Sequence, residues 1–189
     1  AREIAGGGME RWLADTRGGE GSAGELCAQI GGLTVGSGRL LELVKSSGRA
    51  TVEAAMDALK SYASRLMSAS LRELKSGIYR AEDFLDDDGF GTGPIPIRVA
   101  VNIRGGNAIV DFTGSAPQVR GSVNANYAIT LSATFYVMKC LASEAVPANE
   151  GLMRPIKLIA PEGSIVNALA PAAVAGGNVE TSQRIVDVL

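Results

Sequence analysis

Apolar residues recur along the first part of the chain at intervals of three and four. Past residue 94 the interval becomes two, so a helical part is followed by a part that opens on a strand. Leu26, Ile30 and Leu33 share one helical face, Leu40, Leu41 and Val44 resume the period, and Gly48 stops it. Ser22-Ala23-Gly24-Glu25 has the spacing of a capping box and predicts the start of this helix. Gly31, Gly32, Gly36 and Gly38 each cost about 1 kcal/mol inside a helix, which predicts an interruption or a close neighbour. The strongest pattern comes next: Thr51 is placed to cap a helix carrying Val52, Ala55, Met56, Leu59, Tyr62, Ala63, Leu66, Met67, Ser70, Leu71 and Leu74, ending by Gly77. Residues 22–77 are therefore expected as an antiparallel helical hairpin, preceded by a flexible or weakly helical lead-in over 1–21.

An acidic, glycine-rich connection runs from Asp83 to Pro94. Ile95, Ile97, Val99, Val101 and Ile103 then alternate with Pro96, Arg98, Ala100, Asn102 and Arg104, the signature of a half-buried strand. Gly105-Gly106 predicts a two-residue turn, and Ala108 to Thr113 its hairpin partner, with Val110 and Phe112 on one face and Ile109, Asp111 and Thr113 on the other. Beyond lie a helix from near Thr130 to Leu141 with Ile129, Ala133, Tyr136, Val137 and Cys140 in register, a strand over Ile156 to Ala160, a turn at Pro161 to Ser164, and a last helix capped by Asn178. This order predicts an α+β fold over 78–189, not a doubly wound sheet. Ala1 opens without methionine, and Ile185 to Leu189 ends an apolar helix without a stop signal. The expectation is a piece of a larger subunit, continuing past Leu189.

Charge narrows the partners. Eighteen basic and 20 acidic residues are spread along 189 positions with no basic stripe, so nucleic acid is not expected. No run approaches the ~20 apolar residues of a membrane span, and no signal sequence opens the chain, so a cytoplasmic location is expected. Cys27 and Cys140 are too isolated for a zinc or redox pair, and are expected as reduced, buried thiols. Histidine is absent, which removes the usual general base, the commonest metal ligand and any Ser-His-Asp triad.

Candidate chemistry then rests on oxygens and amides. Asp86-Asp87-Asp88-Gly89 gathers carboxylates but lacks the closing glutamate of a calcium loop, and reads first as a solvated acidic turn. Gly89, Gly91 and Gly93 follow no apolar strand and precede a proline, so they read as turns and not as a phosphate cradle. Asp111-Phe112-Thr113-Gly114-Ser115-Ala116-Pro117-Gln118 places an acid, two hydroxyls and an amide at a strand end, fit either for a polar ring or for a hydrogen-bonded turn. Asn124, Asn126, Arg154, Asn178, Glu180, Gln183 and Arg184 lie near element ends, where caps are the ordinary role.

The stretch Asp111 to Gly121 followed by Asn124 resembles the D-F-T-G-[ST]-x-x-Q-x-x-G-x-x-N signature of the hydantoinase B/oxoprolinase family. Pro147-Ala148-Asn149-Glu150-Gly151 with Arg154-Pro155, Ala160 to Asn167, and Pro171 to Arg184 are similar to further motifs of that family in the same order, as are Gly24 to Ile30 and Leu85 to Gly89 upstream. The resemblance, to an N-methylhydantoinase B-type subunit, implies part of an ATP-dependent amidohydrolase that opens a hydantoin, N-methylhydantoin or 5-oxoproline. It implies a hydantoinase A-type partner, separate or fused, that binds ATP with Mg2+, and a divalent metal held by an earlier region outside this segment. No cofactor and no metal ligand is assigned within the segment itself. The same resemblance leaves open acetone or acetophenone carboxylation, and a non-catalytic module that docks the A-type subunit. It implies an oligomer that is inactive without its other parts. Asp111, Thr113, Ser115, Gln118, Asn124, Arg154 and Asn178 are the residues expected to face substrate or an interface.

Overall fold

The computed structural model describes residues 8, 11, 19–142 and 145–189. Most of the lead-in expected over 1–21 lies outside the described residues. The chain forms two compact units, Ala1–Met56 and Asp57–Leu189.

In the first unit, helix α1 (Gly19–Ser47) is already helical three residues ahead of Ser22, so the S-x-x-E segment sits within the helix and not at its start. It runs unbroken through Gly31, Gly32, Gly36 and Gly38, and a Cβ at each of these positions would meet nothing within 4 Å. The expected interruption is not present, and among the described residues no close neighbour stands against these glycines. Thr34 Oγ1 donates to the Ile30 carbonyl at 2.9 Å and Ser46 Oγ to that of Leu43 at 3.0 Å, so the hydroxyls serve the helix itself. Leu33, Val35, Leu40, Leu41 and Leu43 are exposed, Leu33 by 74%. Gly48 then separates α1 from α2 (Arg49–Glu73), which puts Thr51 inside the first turn of α2 and not at its cap.

The second unit is built on a four-stranded sheet in the order β1 (Gly77–Leu85), β2 (Ile95–Arg104), β3 (Asn107–Asp111), β4 (Ile156–Ile159), antiparallel except for the parallel pair β3/β4. The fold is α+β, as expected. All five branched residues of β2 are buried and Gly105-Gly106 turns the chain with φ of 59° and 81°, leaving Arg104 opposite Asn107. β1 was hidden in the sequence, because its residues are mostly exposed on both faces and give no alternation. It also takes Asp83, Phe84 and Leu85 out of the expected connection.

Ala63, Met67 and Leu71 of α2 join the core with the odd-numbered residues of β2, Val110 and Phe112, together with α3 (Tyr127–Leu141) and α4 (Thr181–Val188). The even-numbered face of β2 stays open, with Arg98 and Arg104 exposed beside Ile78, Phe84 and Ile109. α3 begins earlier than expected: Asn126 Oδ1 accepts from the Ile129 amide at 3.0 Å. Its buried face is Thr130, Ala133, Thr134 and Met138, while Tyr136 and Cys140 are exposed. Apolar spacing misread this helix because the threonine hydroxyls find carbonyls inside, Thr130 on Val166 at 2.5 Å and Thr134 on Thr130 at 2.8 Å. Cys27 is likewise exposed, so both thiols are free and on the surface and not buried. Asn178 ends a short 3₁₀ turn and does not cap α4, whose first turn starts from Glu180 without a side-chain bond.

The Pro147–Gly151 loop closes in a tight turn that brings Gly151 against α2. A Cβ at Gly151 would overlap the Lys60 carbonyl. Gly151→Ala is therefore expected to lower unfolding free energy by about 2 kcal/mol or more, read as a fall in the urea midpoint at unchanged slope.

Candidate functional site

The loop that leaves β3 carries most of the expected site residues, and its path follows from unpaired backbone. β3 pairs only with residues 100–104 of β2, so the edge of β2 before Ala100 needs other partners. Ser115 supplies them: its Oγ accepts from the Arg98 amide at 3.0 Å and donates to the Arg98 carbonyl at 3.1 Å, while the Ala116 amide donates to the Pro96 carbonyl at 2.9 Å. Arg98 closes the arrangement by donating from Nη1 to the Gly114 carbonyl at 2.9 Å and from Nε to Glu82. At the mouth of the loop the half-buried Asp111 accepts from the Thr113 amide at 2.8 Å, and Thr113 is exposed.

Further along, Gln118 Oε1 accepts from the Leu169 amide at 2.8 Å and the Gln118 amide donates to the Gly163 carbonyl at 2.8 Å. Asn124 is fully enclosed. Its Oδ1 accepts from the Val119 amide at 2.7 Å, and its Nδ2 donates to the carbonyls of Val119, Gly121 and Ala173, each at 2.9 Å. The amide side chains of Gln118 and Asn124 thus hold the 113–125 loop to the 160–174 segment.

The acidic turn before β2 is not solvated throughout. Asp86 and Asp87 are exposed, whereas Asp88 is 5% exposed and takes backbone amides on both oxygens. Oδ1 accepts from Phe90 at 2.9 Å and Thr92 at 3.0 Å, and Oδ2 from Gly121 at 3.1 Å. This carboxylate, 33 residues away in sequence, fastens its own turn to the same loop that Asn124 holds. Burial opposes its charge, but the amides of Thr92, Phe90 and Gly121 outweigh burial and hold its pKa below the ordinary aspartate value. Asp83 is lowered too, by the Phe84 amide first, against some desolvation, and then by Arg184, whose Nη1 lies 2.5 Å from its carboxylate. Arg184 also reaches Asp187 at 2.8 Å, so it ties β1 to α4.

The expected residues stand at separate places. Thr113 shares a depression of about 500 Å³ with Arg80, Glu82 and Arg98 over the open sheet face. Gln118 lines another of about 320 Å³ beside Pro94, Pro96 and Arg120. Asn178 lines a third of about 320 Å³ between α3 and α4. Arg154 is exposed with its Nε 3.7 Å from Glu150, a carboxylate that Lys60 also approaches at 3.5 Å. Sequence reasoning passed over Arg98 and the enclosed hydroxyls of Thr130 and Thr181, the last of which donates to the Val123 carbonyl. Their partners lie 16, 36 and 58 residues away, and no local spacing signals such a bond.

The donors around the glycine run do not suit a phosphate. The amides of Phe90, Thr92 and Gly121, the groups a phosphate would need near the glycine run, are already spent on Asp88. Among the described residues no three Cys, Asp or Glu side chains stand close enough together to hold a metal ion. The buried carboxylate has a measurable consequence. Because its folded pKa lies below the unfolded value, Asp88 contributes stability above the ordinary aspartate range, and that contribution is lost as pH falls through the folded pKa. Thermal melts are expected to hold level near neutrality and drop steeply in acid, with Asp88→Asn lowering the neutral melting temperature and flattening the acid limb.

The family profile described as Hydantoinase B/oxoprolinase matches residues 6–189. 5-Oxoprolinase 1 of Arabidopsis thaliana is 35% identical over 179 residues, covering 87% of this chain and 14% of the plant protein. Caprolactamase subunit beta of Pseudomonas jessenii is 36% identical over 150 residues, covering 79% of this chain and 26% of that subunit. The crystal structure of the ATP-dependent caprolactamase from the same organism superposes with a TM-score of 0.80 at 31% identity, over 95% of this chain and 31% of that chain. A nucleotide-free acetone carboxylase structure shares the fold, with a TM-score of 0.61 at 18% identity over 74% of this chain and 20% of the other. The chain therefore spans between 14% and 31% of the length of these relatives. Its signature loop at 111–124 and its match from residue 6 to residue 189 place one conclusion beyond the fold alone: the chain belongs to the hydantoinase B/oxoprolinase family.

Proposed function

We propose that the chain is a segment of the B-type subunit of an ATP-dependent amidohydrolase that opens a cyclic amide such as a lactam, a hydantoin or 5-oxoproline. The observation that carries this reading is the agreement in both sequence and fold with ATP-dependent caprolactamase across 95% of the chain. The related sequence is named as a beta subunit, which supports an A-type partner that binds ATP with Mg2+. A divalent metal, on this reading, is held by a part of the subunit outside the segment. Two free surface thiols suit a reducing cytoplasm, and among the described residues no helix is long and apolar enough to cross a membrane.

Within such an enzyme this chain shapes and positions. Ring opening needs a carbonyl that is polarised, a water that loses a proton and a ring nitrogen that gains one, and a chain without imidazole leaves that proton traffic to carboxylates or to neighbouring parts. Asp111 and Thr113, at the end of β3 on the open sheet face, are the signature-loop groups placed to reach outward. Ser115, Gln118 and Asn124 act one step back by fixing the loop that presents them.

A second reading, a module that docks the A-type subunit without touching substrate, draws on the exposed leucines and valine of α1. One pair of variants in the assembled enzyme separates the two. Asp111→Ala is expected to lower kcat/KM for a cyclic amide at least about tenfold, some 1.4 kcal/mol, with assembly by sedimentation unchanged. Leu41→Lys is expected to weaken assembly instead. Full turnover by Asp111→Ala would leave only the docking reading, and turnover by the 189-residue chain alone would remove both.

A further inference from the structure

We propose that an apolar groove beneath β1 is the seat of the polypeptide that follows Leu189 in the full-length subunit, entering it as a continuation of α4. This rests on the reading of the chain as a segment of a longer subunit, and it holds whatever ring that subunit opens.

The odd-numbered residues of β1 face the core, but α4 covers them at one end only. Leu85 is buried, and Asp83 is half-buried against Arg184 of α4. On the same face Ala81 is exposed and Tyr79 is 47% exposed, although Val99 and Val101, opposite them on β2, belong to the core. A groove of about 350 Å³ lies there, walled by Tyr79 and Ala81 of β1, Met138 and Leu141 of α3, and Val188 and Leu189 at the end of α4. The Tyr79 hydroxyl donates to the Lys75 carbonyl at 2.6 Å, which holds the ring along the start of β1.

The direction of α4 identifies the occupant. Arg184 stands at Asp83, and Val188 lines the groove with Ala81. Four residues of helix advance about 6 Å and two residues of strand about 6.6 Å, so α4 runs alongside β1 in the opposite chain direction. Two further turns, about 11 Å, carry the helix axis past Tyr79 to the start of β1. The buried stripe of α4 is Thr181, Ile185 and Val188, and the same stripe continued turns its next positions into the groove. A continuing helix also supplies amides to the last carbonyls of α4, which a separate chain docked in the groove does not. The fold shared with the caprolactamase chain makes up 31% of that chain, so in that relative there is polypeptide to form such a segment.

Photo-crosslinking of the full-length subunit, alone and in the assembled enzyme, tests this. Benzoylphenylalanine replaces Tyr79 in one variant and Leu141 in another, on two walls of the groove, and the crosslinked peptides are identified by mass spectrometry. Both positions are expected to crosslink, in the subunit alone, to one stretch within roughly 15 residues after Leu189. Crosslinks to an A-type subunit, to a second copy or to another region of the subunit would overturn the proposal, as would no crosslink at either position. A second readout guards against a misfolded variant. Ala81→Cys, with Cys27→Ser and Cys140→Ser, is expected to react with a maleimide at least about tenfold more slowly in the full-length subunit than in the 189-residue chain. Equal rates would also overturn the proposal. Turnover is independent of both readouts: an enzyme that crosslinks as expected but opens no cyclic amide would sink the amidohydrolase reading and keep the groove. An active enzyme with crosslinks elsewhere would do the reverse.

Discussion

Buried backbone without a ladder is the constraint on which this structure turns. Between β3 and α3, and again between β4 and α4, the chain runs for long stretches outside helix and sheet, yet Ala125, Ile165 and Val166 in those stretches are fully enclosed. Each N–H and C=O there needs a partner, at a cost of about 1–3 kcal/mol if it has none. Asn124 meets the need for Val119, Gly121 and Ala173, Asp88 for Phe90, Thr92 and Gly121, and Thr130 for Val166. Three polar side chains, themselves hidden from water, therefore act as substitutes for secondary structure.

That constraint sorts the polar residues by what they have left to offer. A carboxamide with every atom engaged, as in Asn124, has no capacity for a ligand, and its value is that the loop around it is held in one shape. Asp111 and Thr113 escape this fate because they stand where β3 ends and the open face of the sheet begins.

The family relationship gives these features a common setting. The signature loop is mostly satisfied by the chain's own backbone, one face of the sheet is open and the first helix exposes leucines, in a chain that covers 31% of the caprolactamase chain on which it superposes.

By itself the sequence determined what depends on neighbours along the chain. The alternation of β2, the turn at Gly105-Gly106, the opposite faces of Val110 and Asp111, and the α+β order were all legible, because periods of 2 and 3.6 residues are written locally. The family was legible too, through motifs in order. What only the tertiary structure decided depends on groups far apart in sequence. β1 exists because β2 offers it a partner from Ile95 to Ile103, and its own residues carry no period. The buried face of α3 turned to its threonines because a carbonyl at Val166 was waiting for Thr130, and Asp88 left solvent because Gly121, 33 residues on, brought it an amide. A hydrogen bond between distant residues repays desolvation only once the fold has placed both ends, so no inspection of either end alone reveals it.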